Sequence, residues 1–277
     1  MTGARVSSGT AGAAAPARRV AAMVLRYWYL LRGSWPRLLE LAYWPTVQML
    51  VWGLLTTHLR GDSDWIAQAA GVLIGAVLLW DVLFRGQLGV SISFLEEMWS
   101  RNLGQLFVSP LRPREWIVAL MTMSLIRTLI GVVPAALLAA PLFGFNALTM
   151  GVPLAAFFAN LLVCGWWIAL VVTSLILRYG LGAESLAWAL VFLLAPIACV
   201  YYPVDVLPAP FQWLALALPP AHVFEGMRGV LFGEGFSMAH FAWAAGLNAL
   251  YMAAAGVFFL RSFDHARRHG ALLQQGE

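Results

Sequence analysis

The segment that decides the organisation of this chain is residues 94–115, which read FLEEMWSRNLGQLFVSPLRPRE. The whole chain is 61% hydrophobic and only 11% charged, yet this segment carries three glutamates and three arginines. It lies between two long apolar stretches. This arrangement indicates a membrane protein with a polar connection in which another molecule can dock.

The apolar stretches of the chain are long enough to cross a membrane. A helix needs about 20 mainly apolar residues to span the hydrocarbon core. Six stretches meet that length, at residues 38–58, 66–93, 116–143, 148–177, 185–202 and 240–260. The sequence therefore predicts an all-α polytopic membrane protein with six transmembrane helices.

The distribution of arginine predicts how these spans are oriented. If both termini and the 94–115 connection share one side, that side holds thirteen of the seventeen arginines, whereas the opposite side holds Arg60 and Arg228 only. The excess of basic residues marks the cytoplasmic side. We therefore expect a multi-pass protein of the bacterial cytoplasmic (inner) membrane with both termini in the cytoplasm.

The regions outside the spans differ in composition. Residues 1–19 are rich in Ala, Gly and Ser and lack acidic groups, which predicts a disordered cytoplasmic tail. Aromatic residues and arginines then mix over residues 20–37, as expected for an amphipathic helix in the membrane interface. We expect one six-span domain over residues 20–265 and a second cytoplasmic tail over residues 266–277.

The composition excludes several kinds of chemistry. All seventeen basic residues are arginine, whereas a P-loop needs a lysine on the nucleotide phosphates and a Schiff-base enzyme needs a lysine amine. The two cysteines and five histidines show no metal-ligand spacing. We expect no cofactor, metal or catalytic site on this chain, and its net charge of +4 is better explained by membrane orientation than by nucleic-acid binding.

Residues 94–107 have the periodicity of an amphipathic helix. Four apolar residues recur at spacings of four, four and three: Leu95, Trp99, Leu103 and Leu106. Glu97 precedes Arg101 by four residues, the order that favours an ion pair on a helix. Pro110 ends the pattern because it cannot donate a backbone hydrogen bond. The alternative to a docking helix is an ordinary solvated connection.

Three charged residues fall within predicted spans. A lone charge at the bilayer centre costs about 2.5–3.5 kcal/mol on insertion scales, so we expect compensation. Asp81 and Arg85 are four residues apart and can pair. Arg127 is predicted at a similar depth, so Asp81 is expected to serve both arginines. The group is either a structural network between helices or part of a transport path.

The region before the last span is interrupted by five prolines: Pro203, Pro208, Pro210, Pro219 and Pro220. Residues 211–218 are apolar but too short to span. Short re-entrant or interfacial helices fit this pattern, provided that protein covers the broken backbone. They are expected on the outer side, as a gate or as an external cap.

Two separated motifs resemble one known family. The run EEMWSRNLGQLFVSPLRPRE at 96–115 follows the second span, and YPVDVLP at 202–208, FQWL at 211–214 and LPP at 218–220 precede Glu225 and Arg228. Together they resemble permease subunits of type-two ATP-binding-cassette exporters over residues 20–265. The family often has Asn-Pro where this chain has Pro219-Pro220, so any hydrogen bonds of that Asn cannot form here.

The resemblance implies a mechanism and partners. Two six-span permease subunits, most simply two copies of one chain, would work among membrane lipids with a cytoplasmic P-loop ATPase that holds ATP and magnesium. The resemblance places five residues on a coupling helix that enters the ATPase: Glu97, Arg101, Asn102, Gln105 and Leu106. It places five others at an outer gate: Pro203, Pro208, Pro220, Glu225 and Arg228. A lipid-linked glycan, a drug and another amphiphile are equally compatible substrates.

Three other readings of the chain are possible. An ion-coupled secondary transporter would rely on Asp81, Arg85 and Arg127, and would normally show acids in several spans and an internal repeat. An intramembrane enzyme would need a nucleophile with a base, or facing acids, and no such arrangement is apparent in the sequence. A structural membrane scaffold would leave the amphipathic connection unexplained.

Overall fold

A computed structural model describes residues 11–59 and 64–270 of the chain, with side chains for 15–58 and 71–270. These residues form helices and connecting turns, and no strand occurs among them. The α-helices are α1 (Ala11–Arg32), α2 (Trp35–Leu59), α3 (Asp64–Trp99), α4 (Leu103–Leu106), α5 (Pro113–Phe143), α6 (Val152–Tyr179), α7 (Leu186–Leu194), α8 (Ala209–Leu216), α9 (Pro219–Leu231) and α10 (Met238–Arg268).

Five of these helices are long and apolar enough to cross a membrane. They are Trp35–His58 of α2, Gly71–Trp99 of α3, Pro113–Phe143 of α5, Val152–Tyr179 of α6 and Met238–Arg268 of α10. Each is longer than the roughly 20 residues that a span requires. The predicted all-α polytopic membrane fold is confirmed.

The segment predicted as a sixth long span, residues 185–202, forms a shorter element. Its helix α7 has nine residues, about 14 Å of rise, and turns follow it from Ala195. Pro196 cannot donate a helical hydrogen bond, and Cys199 has a positive φ of 54°, which an α-helix does not accommodate. An apolar composition therefore produced half a span instead of a complete one.

The long helices pack around α3, which contacts α2, α5, α6, α7 and α9. The closest approach is to α6, where a Cβ added to Gly165 would lie 2.5 Å from the carbonyl oxygen of Leu83. On the α5 side, the Ser124 hydroxyl donates to the carbonyl of Gly86 at 2.7 Å. Small residues let these backbones approach closely, the usual packing of membrane helices.

The helices define two ends of the molecule. Arg37 near the start of α2 lies beside Glu96 near the end of α3, and Arg178 of α6 donates to Ser262 of α10 at 3.0 Å. We call this the arginine-rich end. The starts of α6 and α10 lie at the opposite end, where a Cβ on Gly226 of α9 would meet both Phe157 and His240.

Helix α1 begins before the predicted boundary. The sequence indicated a disordered tail over residues 1–19, whereas the helix starts at Ala11; residues 1–10 lie outside the described residues. Met23, Tyr27 and Leu31 recur along one face and are buried, so α1 packs against the bundle instead of leaving it. At the other terminus α10 continues to Arg268, and residues 271–277 are outside the described part.

Candidate functional site

The α3–α5 connection is a broken helix. The single helix predicted over residues 94–107 is wrong, because α3 ends at Trp99 and α4 is one turn from Leu103 to Leu106. Between them Arg101 adopts a left-handed backbone with φ of 57°, a conformation that costs a non-glycine residue about 1–2 kcal/mol. The carbonyl of Glu97 accepts the Asn102 backbone N–H at 3.0 Å and closes the turn.

The predicted apolar stripe is only partly turned inward. Leu95, Leu103 and Leu106 are buried, as expected for residues that anchor the connection to the bundle. Trp99 is 51% exposed, and its indole N–H donates to the carboxylate of Glu184 at 3.1 Å. The break at Arg101 changes the direction of the chain, so the four residues do not share one face.

Glu97 is buried and serves as an internal anchor. Its side chain is 2% exposed and accepts hydrogen bonds from both terminal nitrogens of Arg26 and from the Asn102 amide at 2.7 Å. The predicted Glu97–Arg101 pair is therefore wrong, because the acid faces α1 and the broken helix carries Arg101 away. Hydrogen bonds to the carboxylate raise the pKa of Arg26.

The other two acids of the connection also point inward. Glu96 contacts Arg37 at 3.0 Å and Arg127 at 3.5 Å. Glu115 accepts two hydrogen bonds from Arg19, at 2.6 and 2.8 Å, and one from the Arg112 backbone N–H at 3.0 Å. Each of the three acids therefore holds an arginine of α1 or α2.

These arginines of α1 and α2 are functional neighbours that the sequence reasoning missed. The sequence indicates an interfacial helix and an orientation from these arginines, but it does not pair them with the acids of the connection. Arg19 and Arg26 are seven residues apart, two helical turns, and so share one face of α1. Tyr27 lies beside Arg26, and its hydroxyl accepts the Trp116 indole N–H at 2.9 Å. This seven-residue spacing was the available signal for a helix that docks on the connection.

The outer surface of the connection remains exposed. Val108 is 88% exposed, and four polar side chains are also at the surface: Arg101, Gln105, Arg112 and Arg114. Of the five residues predicted to couple to an ATPase, Arg101 and Gln105 lie on this surface. Asn102 is half-buried, while Glu97 and Leu106 lie beneath it.

The predicted group of three intramembrane charges does not assemble. Asp81 accepts a hydrogen bond from Arg85 at 2.7 Å, so that pair is confirmed. Arg127 instead contacts Glu96 at 3.5 Å. The prediction that Asp81 serves both arginines is wrong, because the long Arg127 side chain extends toward the arginine-rich end and its acid.

Helices α8 and α9 form a hairpin at the opposite end. The Tyr251 hydroxyl, near the middle of α10, donates to the Ala217 carbonyl at the hairpin tip at 2.7 Å. The hairpin therefore lies alongside the first half of α10, where His222 also contacts His240 and Trp243. The short helices expected before the last span are present, with Pro208 directly before α8 and Pro220 buried in the first turn of α9.

Glu225 and Arg228 fix the hairpin to the segment that precedes it. One Glu225 oxygen accepts from Arg228 at 2.9 Å and from the Val204 backbone N–H at 2.8 Å. Arg228 also donates to the Cys199 carbonyl at 3.0 Å. Pro203 lines a cavity of about 400 Å³ together with these two charged side chains. Three of the five predicted gate residues are thus brought together.

A histidine pair adds a second contact between the hairpin and α10. The Nδ1 atoms of His222 and His240 are 3.3 Å apart, and His222 Nε2 lies 2.9 Å from the Leu216 carbonyl oxygen. Burial lowers the pKa of His222 below its usual value. The two histidines are eighteen positions apart in sequence, and no local pattern indicated their contact.

Comparison with known proteins agrees with this geometry. A sequence model of the ABC-2 type transporter family matches residues 22–232, which include α2 to α9 and the second half of α1. No curated protein matches the chain significantly. Membrane subunits of this family do not hydrolyse ATP themselves, and the family implies an ABC ATPase subunit as partner. The chain belongs to the ABC-2 type transporter family and is a multi-pass permease subunit of an ABC transporter.

Proposed function

We propose that this chain is the permease of an ATP-driven exporter. A separate ATPase subunit binds the α3–α5 connection, hydrolyses ATP, and drives substrate movement out of the cytoplasm. The observation that supports the proposal is the two-sided character of the connection. Its outer surface is exposed, whereas its inner surface is fixed to α1, α3 and α5.

The contacts beneath the connection provide a route for force. Glu97 joins the end of α3 to α1 through Arg26, and Glu115 joins the start of α5 to α1 through Arg19. A rigid displacement of the connection therefore moves both spans together. An ATPase that binds one position of the connection more tightly shifts the permease between two states, as ligand-driven population shifts require.

The five coupling residues divide between contact and positioning. Arg101 and Gln105 contact the ATPase from the exposed surface. Leu106, Asn102 and Glu97 position that surface, since Leu106 is buried and the Asn102 amide donates to Glu97. This division explains why a buried acid belongs to a docking segment.

The α8–α9 hairpin is the proposed outer gate. It enters the bundle from the end opposite the connection and is held by Arg228 and Glu225. Helix α9 also buries Val223, Phe224 and Met227 in the bundle, so we expect the hairpin to move as one unit together with these contacts. Displacement of the hairpin would open the permease to the outside.

The complete transporter is proposed to contain two copies of this six-segment permease domain, residues 20–265, in the bacterial cytoplasmic membrane with both termini in the cytoplasm. The thirteen-to-two distribution of arginine supports this orientation. ATP and magnesium are assigned to the ATPase because this chain contains no lysine for a P-loop. Lipids surround the exposed apolar faces of α2 and α10.

The test is to purify the tagged protein from its native membrane in mild detergent. We expect a P-loop ATPase in roughly equal amount, together with ATP hydrolysis. Trapping the complex with ATP and vanadate should change hydrogen exchange in the α8–α9 hairpin, which is remote from the connection. The reproducible absence of an ATPase from intact protein, or a hairpin indifferent to trapping, would contradict the proposal.

A further inference from the structure

The charges of the α3–α5 connection are sorted by sign between its two sides. All three of its carboxylates are engaged inward, Glu96, Glu97 and Glu115, and their side chains are at most 21% exposed. Their partners are arginines from outside the connection. The acidic charge of this segment is therefore neutralised within the permease and is not presented to a partner.

The basic charges of the connection are directed outward. Arg101, Arg112 and Arg114 are exposed, and none of them makes an ion pair within the described residues. One half-buried carboxylate adjoins this surface, that of Glu184, which accepts the Trp99 indole N–H. Three guanidinium groups against one carboxylate leave this surface positive.

The same connection also exposes two apolar side chains. Val108 is 88% exposed and Trp99 is 51% exposed. Tryptophan and arginine are the side chains that most often dominate the binding energy of protein interfaces. The exposed valine of this connection adds apolar area that water solvates poorly. We call Trp99, Arg101, Val108, Arg112 and Arg114 the docking patch.

We propose that the ATPase receives the docking patch in a cleft with an acidic rim and an apolar floor. The inference rests on the proposed function and specifies the chemistry of the partner. Arginine binds carboxylates through two parallel hydrogen bonds, which fixes orientation as well as charge. Opposite charges at an interface accelerate association and exclude partners of the wrong sign. Charge repulsion would therefore prevent the docking patch from binding an ATPase with a basic cleft.

The backbone at Arg101 is consistent with this role. A left-handed φ of 57° is unfavourable for arginine, and strained residues that the surrounding structure maintains concentrate at binding and switch sites. The conformation directs the side chain of Arg101 to the surface at the point where α3 ends. Glycine at this position would relax the backbone but remove the charge.

The test uses charge reversal in the complex purified with its ATPase. Arg101→Glu and Arg114→Glu, singly and combined, are compared with Arg261→Glu, which reverses an exposed arginine of α10 outside the docking patch. We expect the amount of ATPase that co-purifies with the double variant to be at least tenfold lower than with the wild type. The Arg261 variant should bind as much ATPase as the wild type. Raising NaCl should release ATPase from the wild type, since salt screens these interactions.

A second measurement distinguishes the acidic cleft from anionic lipid. The variants are reassembled in nanodiscs of phosphatidylcholine alone or with phosphatidylglycerol. Loss of the ATPase in both lipids supports the proposal, and a loss confined to phosphatidylglycerol assigns the arginines to headgroups and overturns it. If the double variant retains as much ATPase as the wild type, the acidic-cleft proposal is overturned, whereas the proposed function is still supported by the wild-type complex. A wild type without ATPase overturns both.

Discussion

Glu97 provides the strongest test of how the connection is held. The change is Glu97→Gln, which preserves the size of the side chain and removes its charge. In the native protein this carboxylate is 2% exposed and binds both terminal nitrogens of Arg26 and the Asn102 amide. The amide of glutamine cannot accept from all of these donors, because one of its two polar atoms is itself a donor.

The magnitude follows from the exposure of the partners. Removing one member of a fully buried ion pair costs about 3–5 kcal/mol. Here the Arg26 side chain is 38% exposed, so water partly solvates it once the carboxylate is lost. Hydrogen bonds to charged groups contribute about 1.5–3 kcal/mol. We therefore expect the free energy of unfolding to fall by about 2 kcal/mol.

The assay combines thermal unfolding in detergent with hydrogen exchange. Glu97→Gln should lower the unfolding midpoint and accelerate exchange in α1 and in the turn after α3. Glu184→Gln, a half-buried acid at the same end whose amide oxygen can still accept the Trp99 indole N–H, should leave both quantities unchanged. The swapped pair Arg26→Glu with Glu97→Arg should recover part of the loss. Unchanged exchange in α1 for Glu97→Gln would refute the anchoring role.

Three further predictions concern the rest of the bundle. Gly165→Ala should lower the free energy of unfolding by about 1–3 kcal/mol, because its Cβ would lie 2.5 Å from a carbonyl oxygen of α3. Gly246→Ala has open space around its Cβ and should be neutral or stabilising in the same thermal unfolding experiment. Equal effects of the two substitutions would contradict the close packing of α6 against α3. Asp81→Asn leaves the buried guanidinium of Arg85 unpaired and should reduce the yield of assembled protein. Normal assembly with loss of transport would instead assign this pair to the transport path. Burial lowers the pKa of His222, so the folded state favours the neutral ring. The unfolded chain therefore binds more protons than the folded chain below about pH 6.5. The contribution of neutral His222 to the free energy of unfolding is complete above that pH and is lost below it. Hydrogen exchange of α8 and α9 should therefore accelerate at acidic pH after correction for intrinsic rates, and His222→Gln should abolish this pH dependence; equal pH responses in the two proteins would contradict it.

The features that sequence predicted well are those set by local composition. Five of the six expected spans exist because a long apolar run satisfies its backbone hydrogen bonds in a membrane by forming a helix, even with Pro45, Pro134 and Pro141 inside the spans. The Asp81–Arg85 pair was also predictable, because residues four apart on a helix are adjacent. The broken α8–α9 region was signalled by its prolines.

The features that sequence missed depend on tertiary contacts. Spacing along the sequence pairs Glu97 with Arg101, because the position of α1 cannot be obtained from periodicity alone. In the folded chain Arg26 approaches with two donors, and the helix breaks at Arg101. The contact between Arg127 and Glu96 was missed for a similar reason, because sequence spacing does not determine how helices cross or in which direction a side chain extends.

The central claim is that the ATPase binds the arginine-rich end at the α3–α5 connection. A photoreactive amino acid placed at Val108 tests it directly, with the same probe at Val152 as the matched control. These valines are 88% and 84% exposed and lie at opposite ends of the bundle. Illumination of native membranes should join Val108, and not Val152, to a P-loop ATPase identified by mass spectrometry. Cross-linking of the ATPase through Val152, with none through Val108, would contradict the account.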